Sequence, residues 1–175
     1  MNSKLKNVAA GVFRTMGLLM MIAVIVGCIP LTVPKVFGYQ IYHITSGSME
    51  PEIPTGSIIY AKQTDPLELQ PKDVIVFYGG QGADTTVTHR VVENRREDQK
   101  LVTKGDANAG NDVLPVPYRQ VIGCVELSIP NLGFLVSFFA SGQGKISMLA
   151  FLVAGLLFRM VGLRMADDLN ETPLQ

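Results

Sequence analysis

Two long apolar stretches flank a segment in which apolar and polar residues alternate. The first stretch, residues 15–34, carries no charged side chain. At ~1.5 Å per residue it reaches ~30 Å, the thickness of a bilayer's hydrocarbon core. We therefore predict a transmembrane helix over residues 16–33, with Pro30 and Pro34 loosening its outer end.

Cationic residues set the expected orientation of this helix. Lys4, Lys6 and Arg14 precede it, and only Lys35 follows closely. The positive-inside bias then puts the N-terminus in the cytoplasm. A cleavable signal peptide is the alternative interpretation, because such peptides also begin with cations and an apolar run. We favour a retained helix, since no small-x-small cleavage site follows the run.

The second apolar stretch is shorter. Residues 146–158 are all uncharged, but this length reaches only ~20 Å; the run extends to Leu163 only if Arg159 is accepted within it. The Arg159 guanidinium can snorkel to the inner interface. We predict a short return helix over residues 145–163 that ends in the cytoplasm, with a hairpin or an interfacial helix as the alternative.

Residues 129–144 are also uncharged, but proline and glycine interrupt them at four positions. These are Pro130, Gly133, Gly142 and Gly144. We expect this segment to lie on the outer leaflet or dip into it rather than to cross the membrane.

The central segment, residues 38–128, predicts an antiparallel all-β domain. Its strand candidates are short, rich in Val, Ile, Thr and Tyr, and bounded by Gly, Pro, Asp and Asn. They are residues 39–44, 57–62, 73–78, 86–93, 100–104 and 121–127. None of the intervening stretches has a convincing 3.6-residue period. The predicted fold class is thus mainly β, with transmembrane helices on both sides.

The resulting division has five parts. They are residues 1–37 (cytoplasmic N-terminus and first helix), 38–128 (extracytoplasmic β domain), 129–144 (interfacial segment), 145–163 (second helix) and 164–175 (cytoplasmic tail).

Composition excludes several other classes. The 175 residues carry 15 Lys plus Arg against 15 Asp plus Glu, and 47% are hydrophobic, which argues against disorder. The central segment has 12 acidic and 8 basic residues, so we expect no nucleic-acid partner. Cys28 and Cys124 lie in different regions, so a disulfide framework is not supported.

The first block with candidate chemistry is Ser46-Gly47-Ser48-Met49-Glu50-Pro51. It follows a predicted strand, and a tight Ser-Gly-Ser corner can expose a hydroxyl as a nucleophile. Taken alone, the block is also typical of an ordinary turn.

The second block is Thr88-His89-Arg90-Val91-Val92, inside a predicted strand. Alternation puts Val87, His89 and Val91 on one face of that strand. Apolar neighbours favour a neutral imidazole that can accept a proton. A packed, hydrogen-bonded core histidine is the alternative.

The third block is Lys104-Gly105-Asp106, which continues through an Asn- and Gly-rich loop to Asp112. Either carboxylate can orient an imidazole through its second nitrogen. An Asx turn or a loose cation-binding loop would have the same composition.

The three blocks together resemble the type I signal peptidase family, in its endoplasmic-reticulum-type variant, which also occurs in archaea and some Gram-positive bacteria. The similarity extends over the N-terminal anchor, the Ser block, the strands at 56–59 and 73–76, the His block, the Lys104–Asp112 block and residues 121–123 with Ile129-Pro130. It implies a small antiparallel β domain of signal-peptidase type.

The resemblance also implies roles for individual residues. Ser48 matches the nucleophile, and Ser46 a serine whose hydroxyl helps the Ser48 backbone N–H to form the oxyanion hole. His89 stands where the bacterial-type enzymes have a lysine. The two family acids match Asp106 and Asp112, of which we favour Asp112 as the His89 partner and Asp106 as a supporting residue.

One position departs from the family pattern. Ala107 stands where the family usually has Asn, so no side-chain role is expected there.

The function implied is a membrane-anchored serine endopeptidase that removes signal peptides from exported preproteins after small residues. Its expected partners are signal peptides and membrane lipid, with no cofactor and no metal. Partner subunits stay open. His43, Lys62 and Lys104 are alternative bases. A noncatalytic assembly factor for surface fibres or pili is the alternative function, and a metal site at the His89, Asp106 and Asp112 side chains is a third.

Overall fold

The computed structural model describes residues 3–79 and 85–170. Within those ranges it contains three helices and seven strands. The helices are α1 (Ser3–Val36), α2 (Leu132–Ala140) and α3 (Gly142–Asn170), with a 3-10 turn at Tyr118–Gln120. The strands are β1 (Tyr39–His43), β2 (Ile58–Lys62), β3 (Val74–Tyr78), β4 (Thr86–Arg95), β5 (Lys100–Lys104), β6 (Val116–Pro117) and β7 (Val121–Ile129).

All the strands join one curled antiparallel sheet. The order across it is β1-β2-β7-β3-β4-β5-β6. Strand β4 changes partner along its length: Thr86 to Arg90 pair with β3, and Arg90 to Arg95 pair with β5. This switch leaves the first half of β4 with an edge that β5 does not cover.

Strand β3 contributes buried side chains to the core on both faces of the sheet. Its residues Ile75 and Phe77 pack in one buried cluster with Leu101, while Val76 between them packs in another with Ile59. Both faces of the strand are therefore buried, which explains its uninterrupted apolar run. Each fully buried aliphatic side chain contributes roughly 1.5–3 kcal/mol.

Helices α1 and α3 pack together in antiparallel fashion through glycines. A Cβ added at Gly17 would lie 2.5 Å from the carbonyl oxygen of Gly155, and one at Gly162 would lie 2.8 Å from that of Ala10. The rings of Phe13 and Phe158 stack at 5.5 Å. Small residues at such crossings let two helix backbones approach closely, as is common between membrane helices.

Both long helices are apolar enough to cross a bilayer. Residues Lys4–Val36 and Gly142–Asp167 each qualify by length and composition. Leu19 and Leu149 are about 60% exposed, at 58% and 62%, as lipid-facing side chains would be. The protein is membrane-anchored.

The fold class predicted from the sequence is confirmed, but several element bounds differ. Helix α1 begins before residue 16, because the polar N-terminal residues continue the same helix. Helix α3 extends beyond 145–163 on both sides and is long enough to span the membrane. Residues 129–144, for which an interfacial location was predicted, contain α2, and the two-residue strand β6 was not predicted.

Candidate functional site

Ser48 lies on a tight corner between β1 and β2. The backbone N–H of Glu50 donates to the Gly47 carbonyl at 3.1 Å, and that of Ile53 donates to the Met49 carbonyl at 2.9 Å. Met49 is 1% exposed and belongs to a core cluster. Because Met49 is buried next to it, the half-buried Ser48 is held at a fixed position. Its Oγ lies 3.4 Å from the Ser46 Oγ.

His89 lies in β4, opposite Ile75 of β3. It is 9% exposed, and its ring makes an edge contact with Phe77 at 6.2 Å between centroids. Its Nδ1 lies 2.6 Å from the Asp112 Oδ2. This is the geometry in which a carboxylate orients an imidazole and leaves Nε2 to accept a proton.

Asp112 has a second side-chain partner that the sequence did not reveal. The Thr103 Oγ1 donates a hydrogen bond to the same Asp112 Oδ2 at 2.6 Å. Thr103 is 0% exposed and shares its face of β5 with the buried Leu101. A polar residue at an inward strand position needs a hydrogen-bond partner, and that was the available signal.

Gly105 brings the Ser and His blocks together. A Cβ at this position would lie 2.6 Å from the Ser48 carbonyl oxygen and 3.0 Å from the His89 Nε2. The backbone N–H of Ala107 also donates to the Ser48 carbonyl at 2.9 Å. Within the described residues, no hydrogen bond joins the Ser48 Oγ to His89 itself.

Asp106 is directed to a cation rather than to His89. The Arg90 Nε and Nη2 donate to the two Asp106 carboxylate oxygens at 2.8 and 2.6 Å. The Arg90 Nη1 also donates to the Lys72 carbonyl at 2.8 Å. The bond to Asp106 raises the pKa of the Arg90 guanidinium. This bidentate pair fixes the loop that begins at Gly105.

A groove of about 300 Å³ runs beside the Ser48 corner. One wall is formed by residues 42–46 with Ser48 and Met49, and the other by residues 85–88, which lead to His89. Both walls include strand edges. In the described part of the chain, β1 pairs on one side only, with β2, and residues 86–89 of β4 pair only with β3.

The alternative bases occupy other environments. The His43 Nδ1 lies 3.0 Å from the Ser137 Oγ, and its ring meets Phe134 edge-on. The Lys62 ammonium lies 5.7 Å above the Tyr39 ring. Lys104 ends β5 opposite Arg90. Over residues 3–79 and 85–170, no three His, Cys, Asp or Glu side chains are grouped to hold a metal ion.

Known proteins that are similar to this chain are named as signal peptidases or as the catalytic subunit of one. Signal peptidase I W of Bacillus subtilis (strain 168) is 50% identical over 91 residues, which cover 50% of this chain and 47% of that protein. The signal peptidase complex catalytic subunit SEC11 of Saccharomyces cerevisiae (strain YJM789) is 31% identical over 121 residues, covering 62% of this chain and 71% of that protein. The chain belongs to the type I signal peptidase family.

A third relative fits the same assignment. SEC11 of Zygosaccharomyces rouxii is 29% identical over 122 residues, covering 62% of this chain and 71% of that protein. A comparison with protein-family models found no match. The family resemblance drawn from the Ser, His and Asp blocks is thus confirmed. The chain spans about half the length of the Bacillus relative.

Proposed function

We propose that this signal peptidase-family chain is a membrane-anchored serine endopeptidase that removes signal peptides from exported preproteins. Ser48 is the nucleophile, His89 the general base and Asp112 its orienting partner. The single observation that carries the proposal is the 2.6 Å contact between the His89 Nδ1 and the Asp112 Oδ2, because it leaves Nε2 facing the Ser48 corner beside Gly105.

The reaction follows from that arrangement. The His89 Nε2 accepts the proton of the Ser48 hydroxyl as Oγ attacks the scissile carbonyl carbon. The imidazolium then protonates the leaving amine, and water hydrolyses the acyl-enzyme. A resting site without a Ser48–His89 hydrogen bond is compatible with this chemistry, since such contacts often tighten only when substrate binds.

The developing oxyanion needs two donors. The backbone N–H of Ser48 is one, and the Ser46 hydroxyl, 3.4 Å from the Ser48 Oγ, is the second. Losing one such donor costs roughly 10²- to 10³-fold in rate. Asp106 has a supporting role through its ion pair with Arg90, which holds the Gly105–Ala107 segment against Ser48.

The groove suits an extended peptide. Among residues 3–79 and 85–170, the strand edges on both walls have backbone donors and acceptors that no other strand pairs, and these can bind a substrate segment that lies between them. A peptide bound in this way presents alternate side chains to the walls. Small residues one and three positions before the cut would fit its shallow pockets, as the family resemblance implies.

Membrane anchoring serves the same reaction. A signal peptide's apolar segment lies in the bilayer, so anchoring the enzyme there raises the effective concentration of both partners. Antiparallel packing of α1 and α3 supports a common side of the membrane for the start of α1 and the end of α3. The positive-inside bias, applied to the basic residues of α1, favours the cytoplasm as that side. Phe134 and Leu135 of α2, 70% and 48% exposed, are suited to the outer leaflet.

The test uses the purified full chain in detergent micelles with a preprotein whose signal peptide ends in Ala-x-Ala. We expect cleavage directly after that Ala, identified by N-terminal sequencing of the product, and its loss in Ser48→Ala. Thr64→Ala, a change at a hydroxyl bonded to the Lys62 carbonyl, is the matched control and should cleave normally. Full cleavage by Ser48→Ala would contradict the proposal. A noncatalytic assembly factor, the alternative function, would tolerate Ser48→Ala in an assay of fibre or pilus assembly.

A further inference from the structure

We propose that Thr103 is the positioning residue that holds the Asp112 carboxylate on His89. The inference rests on the proposed function and adds a residue to its machinery. Thr103 would touch neither substrate nor the reacting atoms, and would act through Asp112 alone.

Thr103 contacts Asp112 through both its side chain and its backbone. Its Oγ1 donates to the Asp112 Oδ2 at 2.6 Å, and its carbonyl accepts from the Asp112 N–H at 2.8 Å. Both contacts come from a residue that is 0% exposed in a strand paired with β4, where Val91 lies opposite it. Thr103 therefore ties both the backbone and the side chain of Asp112 to β5, the strand that pairs with β4.

Asp112 needs such a constraint because of where it lies. It follows an exposed Asn- and Gly-rich loop, and its own side chain is 21% exposed, against 11% for His89. Water can reach a carboxylate in this position and compete for its oxygens. A second donor on the same oxygen that binds His89 keeps Oδ2, rather than Oδ1 or water, directed at the imidazole.

For an ionised Asp112, the hydrogen-bond donors and acceptors around its Oδ2 also determine where the protons lie. An ionised carboxylate only accepts hydrogen bonds, so the Thr103 hydroxyl and the His89 Nδ1 must both donate to Oδ2. The neutral imidazole then carries its proton on Nδ1 and has Nε2 free to accept one. Thr103 thus helps to select the tautomer that the reaction requires.

Two substitutions separate this role from simple packing. Thr103→Val keeps the shape and removes the hydroxyl, while Thr103→Ser keeps the hydroxyl and removes a methyl group. We expect Thr103→Val to lower kcat for preprotein cleavage about tenfold, with KM unchanged, in line with the loss of an orienting partner. Thr103→Ser should retain most of kcat, and Thr64→Val, at the Lys62-bonded hydroxyl, should be neutral.

A second readout does not depend on turnover. The chain has two histidines, so labelling with ¹⁵N-histidine gives imidazole signals from His43 and His89 only. Thr103→Val should shift or broaden the His89 Nδ1–H signal and leave the His43 signal unchanged, whereas Thr103→Ser should preserve both. Thr103→Ala, which also has no side-chain donor, replaces the valine variant in the same comparison if the latter does not fold.

The outcomes are distinct. An unchanged kcat and an unchanged His89 signal in Thr103→Val would overturn the inference. Equal losses in the serine and valine variants would do so too, because they would show that packing is what matters. Failure of the wild-type chain to cleave, or full cleavage by Ser48→Ala, would instead remove the proposed function, and the His89 signal would still test the Thr103 contact.

Discussion

The Asp112 carboxylate oxygen Oδ2 lies 2.6 Å from the Nδ1 of His89, although the two residues are 23 positions apart in the chain. The contact joins β4 to the loop that follows β5, and it is formed on the side of the sheet where Gly105 approaches Ser48. Two sequence blocks that are each ambiguous alone therefore become one unit in the fold.

Asp112→Asn tests this contact. An amide that donates to Nδ1 would favour the opposite imidazole tautomer, so we expect kcat to fall by roughly 10³- to 10⁴-fold while the fold is retained. Preprotein cleavage and far-UV circular dichroism measure the two quantities. Asp98→Asn, in the exposed turn after β4, should change neither. Wild-type kcat in Asp112→Asn would show that His89 needs no such partner.

Gly105→Ala tests the close approach of Gly105 to Ser48 and His89. The added methyl group would lie 2.6 Å from the Ser48 carbonyl oxygen, closer than van der Waals contact permits, so the spacing between the Gly105 loop and the Ser48 corner must increase. We expect a loss of at least about 100-fold in kcat/KM, because misplacing a reacting group by about 1 Å costs that much. Gly110→Ala, which has open space around its Cβ position, is the control. Equal activity of the two variants would show that the tight spacing at Gly105 is not needed for cleavage.

Gly17→Ala tests the packing of α1 on α3. A Cβ there would lie 2.5 Å from the Gly155 carbonyl, whereas one at Gly11 would meet nothing within 4 Å. The measurement uses a variant in which Cys28 and Cys124 are replaced and new cysteines stand at positions 13 and 158, where the two rings stack. Oxidative crosslinking of these two cysteines in membranes reports contact between the helices. We expect Gly17→Ala to slow the crosslink and Gly11→Ala to leave it unchanged.

The Cys124 thiol should be slow to react. Burial, with a smaller contribution from Asp73 and Glu126, raises its pKa to about 11. Since only the thiolate is nucleophilic, iodoacetamide labelling at pH 8 should be roughly 100-fold slower than for an ordinary thiol and should increase with pH up to about 11. A Cys28→Ser background isolates the signal, and labelling in denaturant gives the unhindered rate. Fast labelling of the folded chain at pH 8 would contradict this expectation.

The sequence predicted the sheet better than it predicted the helices. Strand alternation and turn residues located β1, β2, β3 and β5 to within a residue, because a glycine or a charged residue lies at or near an end of each of these strands. The predicted membrane helices end close to charged residues, but a helix continues past such residues, so α1 and α3 are longer than predicted. Strand β6 has two residues, which is too short to leave a pattern.

The sequence predicted which residues form the candidate site, but not all of the contacts between them. The sequence pointed to both acids, but it could not show that Asp106 pairs with Arg90 or that Asp112 binds His89. That choice depends on the register of β4 against β5, which brings Lys104 opposite Arg90. The sequence alone does not distinguish Thr103 from a packing residue, because threonine is common in strands.

Covalent labelling tests the Ser48 assignment most directly. A peptidyl phosphonate ester ending in an alanine analogue reacts with a serine only when a base activates the hydroxyl. We predict one adduct in the wild-type chain, mapped to Ser48 by mass spectrometry, its retention in His43→Ala and its loss in His89→Ala. An adduct on another residue, or labelling of His89→Ala at the wild-type rate, would contradict the account.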